Sequence, residues 1–277
     1  MNIALDMMGG DYAPLETIKG VKLFLSENNK YNVDLTLIGD ENQLVPLMNE
    51  HEITAENITV VHASEVIEMQ EHPTKALKEK QQSSISIGFH LLASGKTDAF
   101  ISAGNTGAMM VGSLYSIKAI TGVARPAIGA YIPGEDGKLS LLVDVGLNAD
   151  CKPENLAQFA LLGSLFSKYI LNDENPRVAL INVGEEEGKG NILCQATYPL
   201  LKENQRINFV GNVEGRDLLM GKAEIYICDG YTGNVILKFA ESSFPMAESW
   251  LPHSQMNLNF AICLPSGRRG SPRKVRV

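Results

Sequence analysis

Apolar residues along this chain gather in short runs, and most runs close on glycine, asparagine and aspartate before a helical pattern resumes. Ile3–Leu5 predicts a strand that ends in Asp6-Met7-Met8-Gly9-Gly10-Asp11. A helix follows from about Pro14, tolerated in a first turn, through Leu15, Ile18, Leu23 and Leu25 to Glu27. Val33–Ile38 predicts a second strand, ended by Gly39-Asp40 and followed by a helix through Leu44, Leu47 and Met48; Ile58–Val61 predicts a third strand. His72 to Gly95 reads as helical with a break near Ser83-Ser84. Ala99–Ser102 then runs through Ala103-Gly104-Asn105-Thr106-Gly107 into a small-residue helix from Ala108.

The second half repeats the device. Ala127–Ile132 and Leu139–Val143 predict a hairpin about Pro133–Gly137, and the second strand ends in Asp144-Val145-Gly146-Leu147-Asn148. Pro153–Ile170 has proline near its start and apolar residues at helical spacing. Val178–Val183 ends in Gly184-Glu185-Glu186-Glu187-Gly188-Lys189-Gly190-Asn191, and Ile207–Val210 in Gly211-Asn212-Val213-Glu214-Gly215-Arg216-Asp217. Ile225–Cys228 ends in Asp229-Gly230-Tyr231-Thr232-Gly233-Asn234, with a helix from near Val235. In a mainly parallel sheet with helical crossovers, the carboxyl ends of the strands share one edge, where ligands bind. The expectation is an α/β protein whose function sits along that edge.

Composition narrows the class. The chain has 277 residues, ordinary apolar and charged fractions and a net charge of −8, which argues against general nucleic-acid binding. Lys75, Lys78 and Lys80 form a compact basic patch, readable as an acidic partner's contact or as a solvated helix face. Cys151, Cys194, Cys228 and Cys263 are widely spaced, which suits free thiols in a reducing cytoplasm rather than a disulfide frame or zinc site. The N-terminus reads as a first strand, not a signal peptide, and no run approaches the ~18 apolar residues of a membrane span.

The chemistry-bearing residues belong to few familiar motifs. G-x-S-x-G, H-E-x-x-H and G-x-G-x-x-G after the first strand are absent, and Gly184…Gly188-Lys189 is only loosely like a P-loop. What remains is rich in backbone donors and amides and has one lysine in a glycine turn, an inventory suited to positioning small anions that react with each other. The Gly104–Gly107 turn at a helix N-terminus is either a phosphate site or an ordinary connection, with Asn105 or Thr106 as the cap. Lys189 either offsets charge on phosphate or an oxyanion, or is a solvated loop lysine. Asp6, Asp11 and Asp229 are acid/base groups or helix caps; Cys228 is a nucleophile or a buried strand-end thiol.

DMMGGDYAP, KEKQQSSISIG, DAFISAGNTGAMM, ARPAIGAYIP, VDVGLNADCKPE, INVGEEEGKGN, FVGNVEGRD and DGYTGNVILK resemble, in order and spacing, the bacterial phosphate acyltransferases of phospholipid synthesis. The resemblance runs from Met1 to about Glu241. It implies a three-layer α/β/α Rossmann-like fold with a mainly parallel sheet, similar to phosphotransacetylase and isocitrate dehydrogenase types, and a cytoplasmic homodimer with peripheral membrane contact. It also implies conversion of acyl-acyl-carrier-protein and inorganic phosphate to acyl phosphate and free carrier, without cofactor or metal. In the family it resembles, the product feeds a membrane glycerol-3-phosphate acyltransferase. Lys189 and Asn234 match the positions that the family uses in catalysis. Asp6, Gly9, Gly10, Ser102, Gly104, Asn105, Thr106, Gly107, Asn148, Asn191 and Asp229 are expected to bind substrate or phosphate, as walls of one pocket with the two catalytic residues. A CoA-dependent phosphotransacylase and an impaired paralogue that only binds carrier protein or phosphate are the alternatives.

The expected domain spans 1–241. Residues 242–277 depart from the family pattern as a Pro/Arg-rich tail expected to be disordered, with Pro245, Pro252, Pro265 and Pro272 interrupting any helix.

Overall fold

A computed structural model describes residues 1–27, 32–54, 56–134 and 137–250. The chain forms two compact units, one from Met1 to Ile120 and one that begins at Thr121. Each unit has its own sheet, so the predicted strand ends lie along two edges rather than one. Apolar periodicity predicts strands and their direction, but it carries no information on which strands become neighbours.

The first unit contains β1 (Asn2–Asp6), α1 (Leu15–Glu27), β2 (Asp34–Gly39), α2 (Glu41–Glu50), β3 (Ile58–His62), α3 (Pro73–Glu79), α4 (Ser84–Ala93), β4 (Ala99–Ile101) and α5 (Thr106–Ser116). Its four strands are all parallel, in the order β3-β2-β1-β4. Strand alternation divides their side chains between two cores. Leu35 and Leu37 meet Ile18, Val21 and Leu44 of α1 and α2, whereas Ala4, Ile38 and Phe100 meet Ile85, Phe89 and Leu92 of α4. The result is three layers. Ser83 caps α4 by accepting the Ser86 N–H at 3.3 Å, at the break expected from the sequence.

The second unit contains β5 (Gly129–Pro133), β6 (Leu139–Val143), α6 (Pro153–Phe166) extended by a π-helical turn (Ser167–Leu171), β7 (Arg177–Ile181), α7 (Ile192–Lys202), β8 (Asn208–Val213), β9 (Ile225–Ile227) and α8 (Gly230–Trp250). The strand order is β5-β6-β9-β7-β8. β5 and β6 make the expected antiparallel hairpin, and the other pairings are parallel. One face packs on α6 and α7 through Phe159, Leu156 and Leu201, and the other on α8 through Ile236 and Leu237.

Three elements differ from expectation. β8 continues past Val210 to Val213, because a bulge at Gly211 (φ +105°) shifts register yet keeps the ladder. α7 carries Thr197 at a fully buried position and Pro199 within its length, which blurs its apolar stripe; the Thr197 hydroxyl is satisfied by the Leu193 carbonyl at 2.8 Å. α8 runs through Pro245 to Trp250, as α2 runs through Pro46, since a helix can forgo one N–H bond when its neighbours hold. The rest of the expected tail, 251–277, lies outside the described residues. Among the described residues no helix is long and apolar enough to cross a membrane.

Candidate active site

In the first unit the strands run outward from β1 to β3, and the chain then returns to place β4 on β1's other side. Open α/β sheets bind ligands beyond the carboxyl ends of the strands at such a reversal. Two predicted segments meet there. Asp6, 4% exposed at the end of β1, accepts the Ser102 hydroxyl at 2.6 Å on Oδ2 and the Met8 N–H at 3.0 Å on Oδ1. Ser102 Oγ in turn accepts the Gly104 N–H at 2.9 Å. A Cβ on Gly9 would lie 2.6 Å from both Asp6 Oδ2 and the Gly104 nitrogen, so this position is glycine because the two loops touch. Gly10 faces Ala103, and Asp11 is exposed.

Asn105, rather than Thr106, caps α5. Its Oδ1 accepts the Ala108 N–H at 2.9 Å, and its amide donates to the carbonyls of Glu68, Met69 and Glu71 at 3.0, 3.2 and 3.1 Å. That side chain is fully used. Thr106 is exposed and Gly107 packs on Pro73. What this edge offers an anion is therefore the first N–H groups of α5, which have no intrahelical acceptor, and the Thr106 hydroxyl. Lys80 of the basic patch turns inward to Glu71 Oε2 and the Val66 carbonyl, both at 2.6 Å, leaving Lys75 and Lys78 exposed on α3.

In the second unit the loops after β6, β9 and β7 follow adjacent parallel strands. The organiser of the first two is Asp144, which the sequence reading passed over. It is completely buried and accepts four hydrogen bonds: Ile128 N–H (3.1 Å) and Leu147 N–H (3.2 Å) on Oδ1, and Asn148 N–H (2.7 Å) and Asn148 Nδ2 (2.8 Å) on Oδ2. Asn148 also donates to the Pro126 carbonyl at 2.9 Å, and its own carbonyl accepts the Gly230 N–H at 2.8 Å. Asn148 thus ties the loop to the start of α8. Asp229 caps that helix, accepting the Thr232 N–H at 2.8 Å and the Thr232 hydroxyl at 3.0 Å. One turn on, Asn234 is exposed against Gly146, and among the described residues its amide has no hydrogen-bond partner.

The loop after β7 carries Lys189. Its three consecutive glutamates are differently engaged. Glu185 pairs with Lys222 at 2.6 Å and Glu187 with Lys202 at 2.8 Å, and these contacts raise both lysines above the usual value. Lys189 Nζ lies 4.0 Å from Glu186 and its side chain is 55% exposed, so its ammonium is held loosely. Asn191, expected at the phosphate, caps α7 by accepting the Cys194 N–H at 2.8 Å. Of the expected site residues at strand ends, then, Asp6, Asn105, Asn148, Asn191 and Asp229 order loops and helix ends. Lys189, Asn234 and Thr106 keep donors free.

Among the described residues, Cys151, Cys194 and Cys228 are not poised for attack. Cys228 is buried and donates to the Asp144 carbonyl at 3.5 Å. Burial first, then Asp229 and Asp144, pushes its thiol well above the ordinary value. Burial likewise raises Cys151 and Cys194. A thiolate would be needed for nucleophilic chemistry, so Cys228 fits the buried strand-end reading. Among the described residues no group of three or more His, Cys, Asp or Glu side chains could hold a metal.

Residues 1–258 match a family model described as fatty acid synthesis protein. A phosphate acyltransferase of Dictyoglomus turgidum is 49% identical over 241 residues, covering 87% of this chain and 71% of that protein. One from Thermoanaerobacterium thermosaccharolyticum is 46% identical over 259 residues, covering 93% and 75%. Among solved structures, a phosphotransacetylase from Streptococcus pyogenes superposes with a TM-score of 0.63 at 15% identity, over 88% of this chain and 82% of the other. The EutD phosphotransacetylase from Staphylococcus aureus gives 0.60 at 18% identity with the same coverage. Those two likenesses show the fold, a phosphotransacetylase-type α/β architecture. The family match and the near-half identities carry more: this chain belongs to the phosphate acyltransferase family of fatty acid synthesis proteins.

Proposed function

We propose that the protein catalyses attack of inorganic phosphate on the thioester of acyl-acyl-carrier-protein. A phosphate oxygen bonds to the carbonyl carbon, the tetrahedral oxyanion collapses, and the carbon–sulfur bond breaks to release the carrier thiolate and acyl phosphate. Phosphate is already an anionic nucleophile near neutral pH, so no enzyme nucleophile is needed, in keeping with burial that pushes the Cys228, Cys194 and Cys151 thiols up. A thiolate with pKa ~8.5 departs with little acid assistance. The protein's task is orientation and stabilisation of the oxyanion.

The observation that carries this reading is the pair of uncommitted donors at adjacent strand ends of the second sheet. Lys189 follows β7 and Asn234 follows β9, whereas Asn191 and Asp229 are consumed in helix caps and Asn148 in bonds to Asp144 and Pro126. Lys189 supplies the charge for phosphate, and Asn234 donates to the oxyanion. In the first unit, the α5 N-terminus and Thr106 offer an anion site of that unit's own, with Asp6, Ser102 and the Gly9–Gly104 contact ordering its loop. Acyl phosphate is a reactive mixed anhydride, which suits direct use by a membrane glycerol-3-phosphate acyltransferase. The enzyme acts as a cytoplasmic homodimer with peripheral access to the bilayer.

The test is acyl phosphate formation by the purified chain, trapped as the hydroxamate, with acyl-carrier-protein or acyl-CoA as donor. Turnover with the carrier-bound donor and a loss of about 10²-fold in Lys189→Ala are expected. Preference for acyl-CoA would favour a phosphotransacylase of the kind its fold resembles, and a fully active Lys189→Ala would remove Lys189 from the chemistry.

A further inference from the structure

Lys189 sits on a turn with glycine at 184, 188 and 190, and its side chain projects into solvent. Such a turn is intrinsically loose, yet a misplacement of about 1 Å at a catalytic group costs on the order of 10²-fold. The turn's own backbone makes one closing bond, from Lys189 N–H to the Glu186 carbonyl at 3.0 Å. Glu185 and Glu187 anchor it to Lys222 and Lys202, and three amide side chains outside it hold the backbone around Lys189. Gln195, exposed on α7, donates to the carbonyls of Gly188 and Gly190, each at 3.0 Å, and so brackets Lys189 on both sides. Asn182, 8% exposed just beyond β7, donates to the Lys189 carbonyl at 3.0 Å. Its Oδ1 accepts the Val183 N–H at 2.8 Å, which fixes the amide's orientation. Asn212, on β8, donates to the Glu186 carbonyl at 2.9 Å, the same oxygen that closes the turn.

We infer that Gln195, Asn182 and Asn212 are positioning residues that hold the Lys189 turn in its working geometry for acyl transfer. This rests on the reading of Lys189 given above. Asn212 supplies the independent argument. It is 7% exposed, and among the described residues its buried Oδ1 has no hydrogen-bond partner. A buried, unsatisfied carbonyl costs stability, and a leucine of similar volume would avoid the cost. Its other half, the NH2 group on the Glu186 carbonyl, is the part that does something for the chain. A residue that lowers stability while fixing a functional turn is the pattern expected where activity is selected against stability.

Asn212→Leu and Gln195→Ala separate positioning from simple support. Asn212→Leu is expected to keep or raise the melting temperature while kcat falls about three- to tenfold, with KM for the acyl donor unchanged. Gln195→Ala, at an exposed site, is expected to fold normally and to lose kcat to a similar degree. Combining either with Lys189→Ala is expected to cause no further loss, because the geometry then has nothing left to place. Full turnover in both single variants would overturn the inference. So would melting temperature and kcat falling together in Asn212→Leu, or losses that multiply in the Lys189→Ala background. A fully active Lys189→Ala fails the underlying reading instead, so the two failures are told apart by that one variant.

Discussion

Asp144→Asn tests how the second unit's binding edge is assembled. The substitution preserves size and shape and changes one oxygen into an NH2 group. Each carboxyl oxygen accepts two donors, Ile128 and Leu147 on one side and both nitrogens of Asn148 on the other. Whichever way the new amide turns, its NH2 group faces two N–H donors and two hydrogen bonds are lost. A buried donor left without a partner costs roughly 1–3 kcal/mol, and these donors are only partly buried, so about 1–2 kcal/mol each is appropriate. The expected loss is about 2–4 kcal/mol, a large share of the roughly 5–15 kcal/mol that holds a domain folded. Urea unfolding followed by far-ultraviolet circular dichroism reads it as a lower midpoint with unchanged slope. A loss under about 0.5 kcal/mol, within the range of an ordinary surface change, would refute the claim that the four-donor arrangement orders residues 144–148. Activity is expected to fall as well, since Asn234 lies against Gly146 of that loop.

Two other outcomes follow from the geometry. Gly190→Ala places a methyl 2.2 Å from Asn182 Oδ1 at a φ of +94°, so it is expected to displace the Lys189 turn and cut turnover by at least tenfold, with a smaller change in melting temperature; near-normal kcat would contradict it. Glu71 is held below its ordinary value of 4.5 by the Lys80 ammonium and then by the Glu68 N–H. A depressed carboxylate contributes stability above the unfolded value and loses it as pH falls through the folded one. Hydrogen exchange at the Glu68 amide is therefore expected to speed up as pH drops below 4.5, relative to its intrinsic rate, and Glu71→Gln should abolish that dependence; an unchanged profile in the variant would count against the pair.

The readable part of the sequence was local. The break at Ser83, the hairpin between β5 and β6, and Asn105 as a cap each depend on residues within a few positions, where side chain and backbone meet regardless of the fold. The α/β class and the parallel pairings followed from the alternation of apolar runs and helices. Partnerships across long separations were not readable. Asp144 looked like a turn residue, and nothing nearby showed that Ile128, sixteen positions away, would donate to it. Gln195 lay in an unpredicted helix because Thr197 and Pro199 interrupt its apolar pattern, so the bracket on Lys189 stayed hidden. Asn212 reads as a loop residue because Gly211 looks like a strand end, whereas the bulge carries β8 onward.

The strand order of the first unit bears on how the protein is made. β1 is synthesised before the other three strands of its sheet, yet it lies inside that sheet with β2 on one side and β4 on the other. Its second partner arrives only when Ala99–Ile101 has been translated, and the Asp6–Ser102 bond spans 96 residues. Until then a nascent chain can pair β1 with β2 and β2 with β3, but the other edge of β1 stays open. Loop closure over such a distance is slow, and an unpaired apolar edge is where nascent chains stick to one another. The same reversal in strand order that opens a ligand crevice in the finished unit thus makes that crevice its last feature to form.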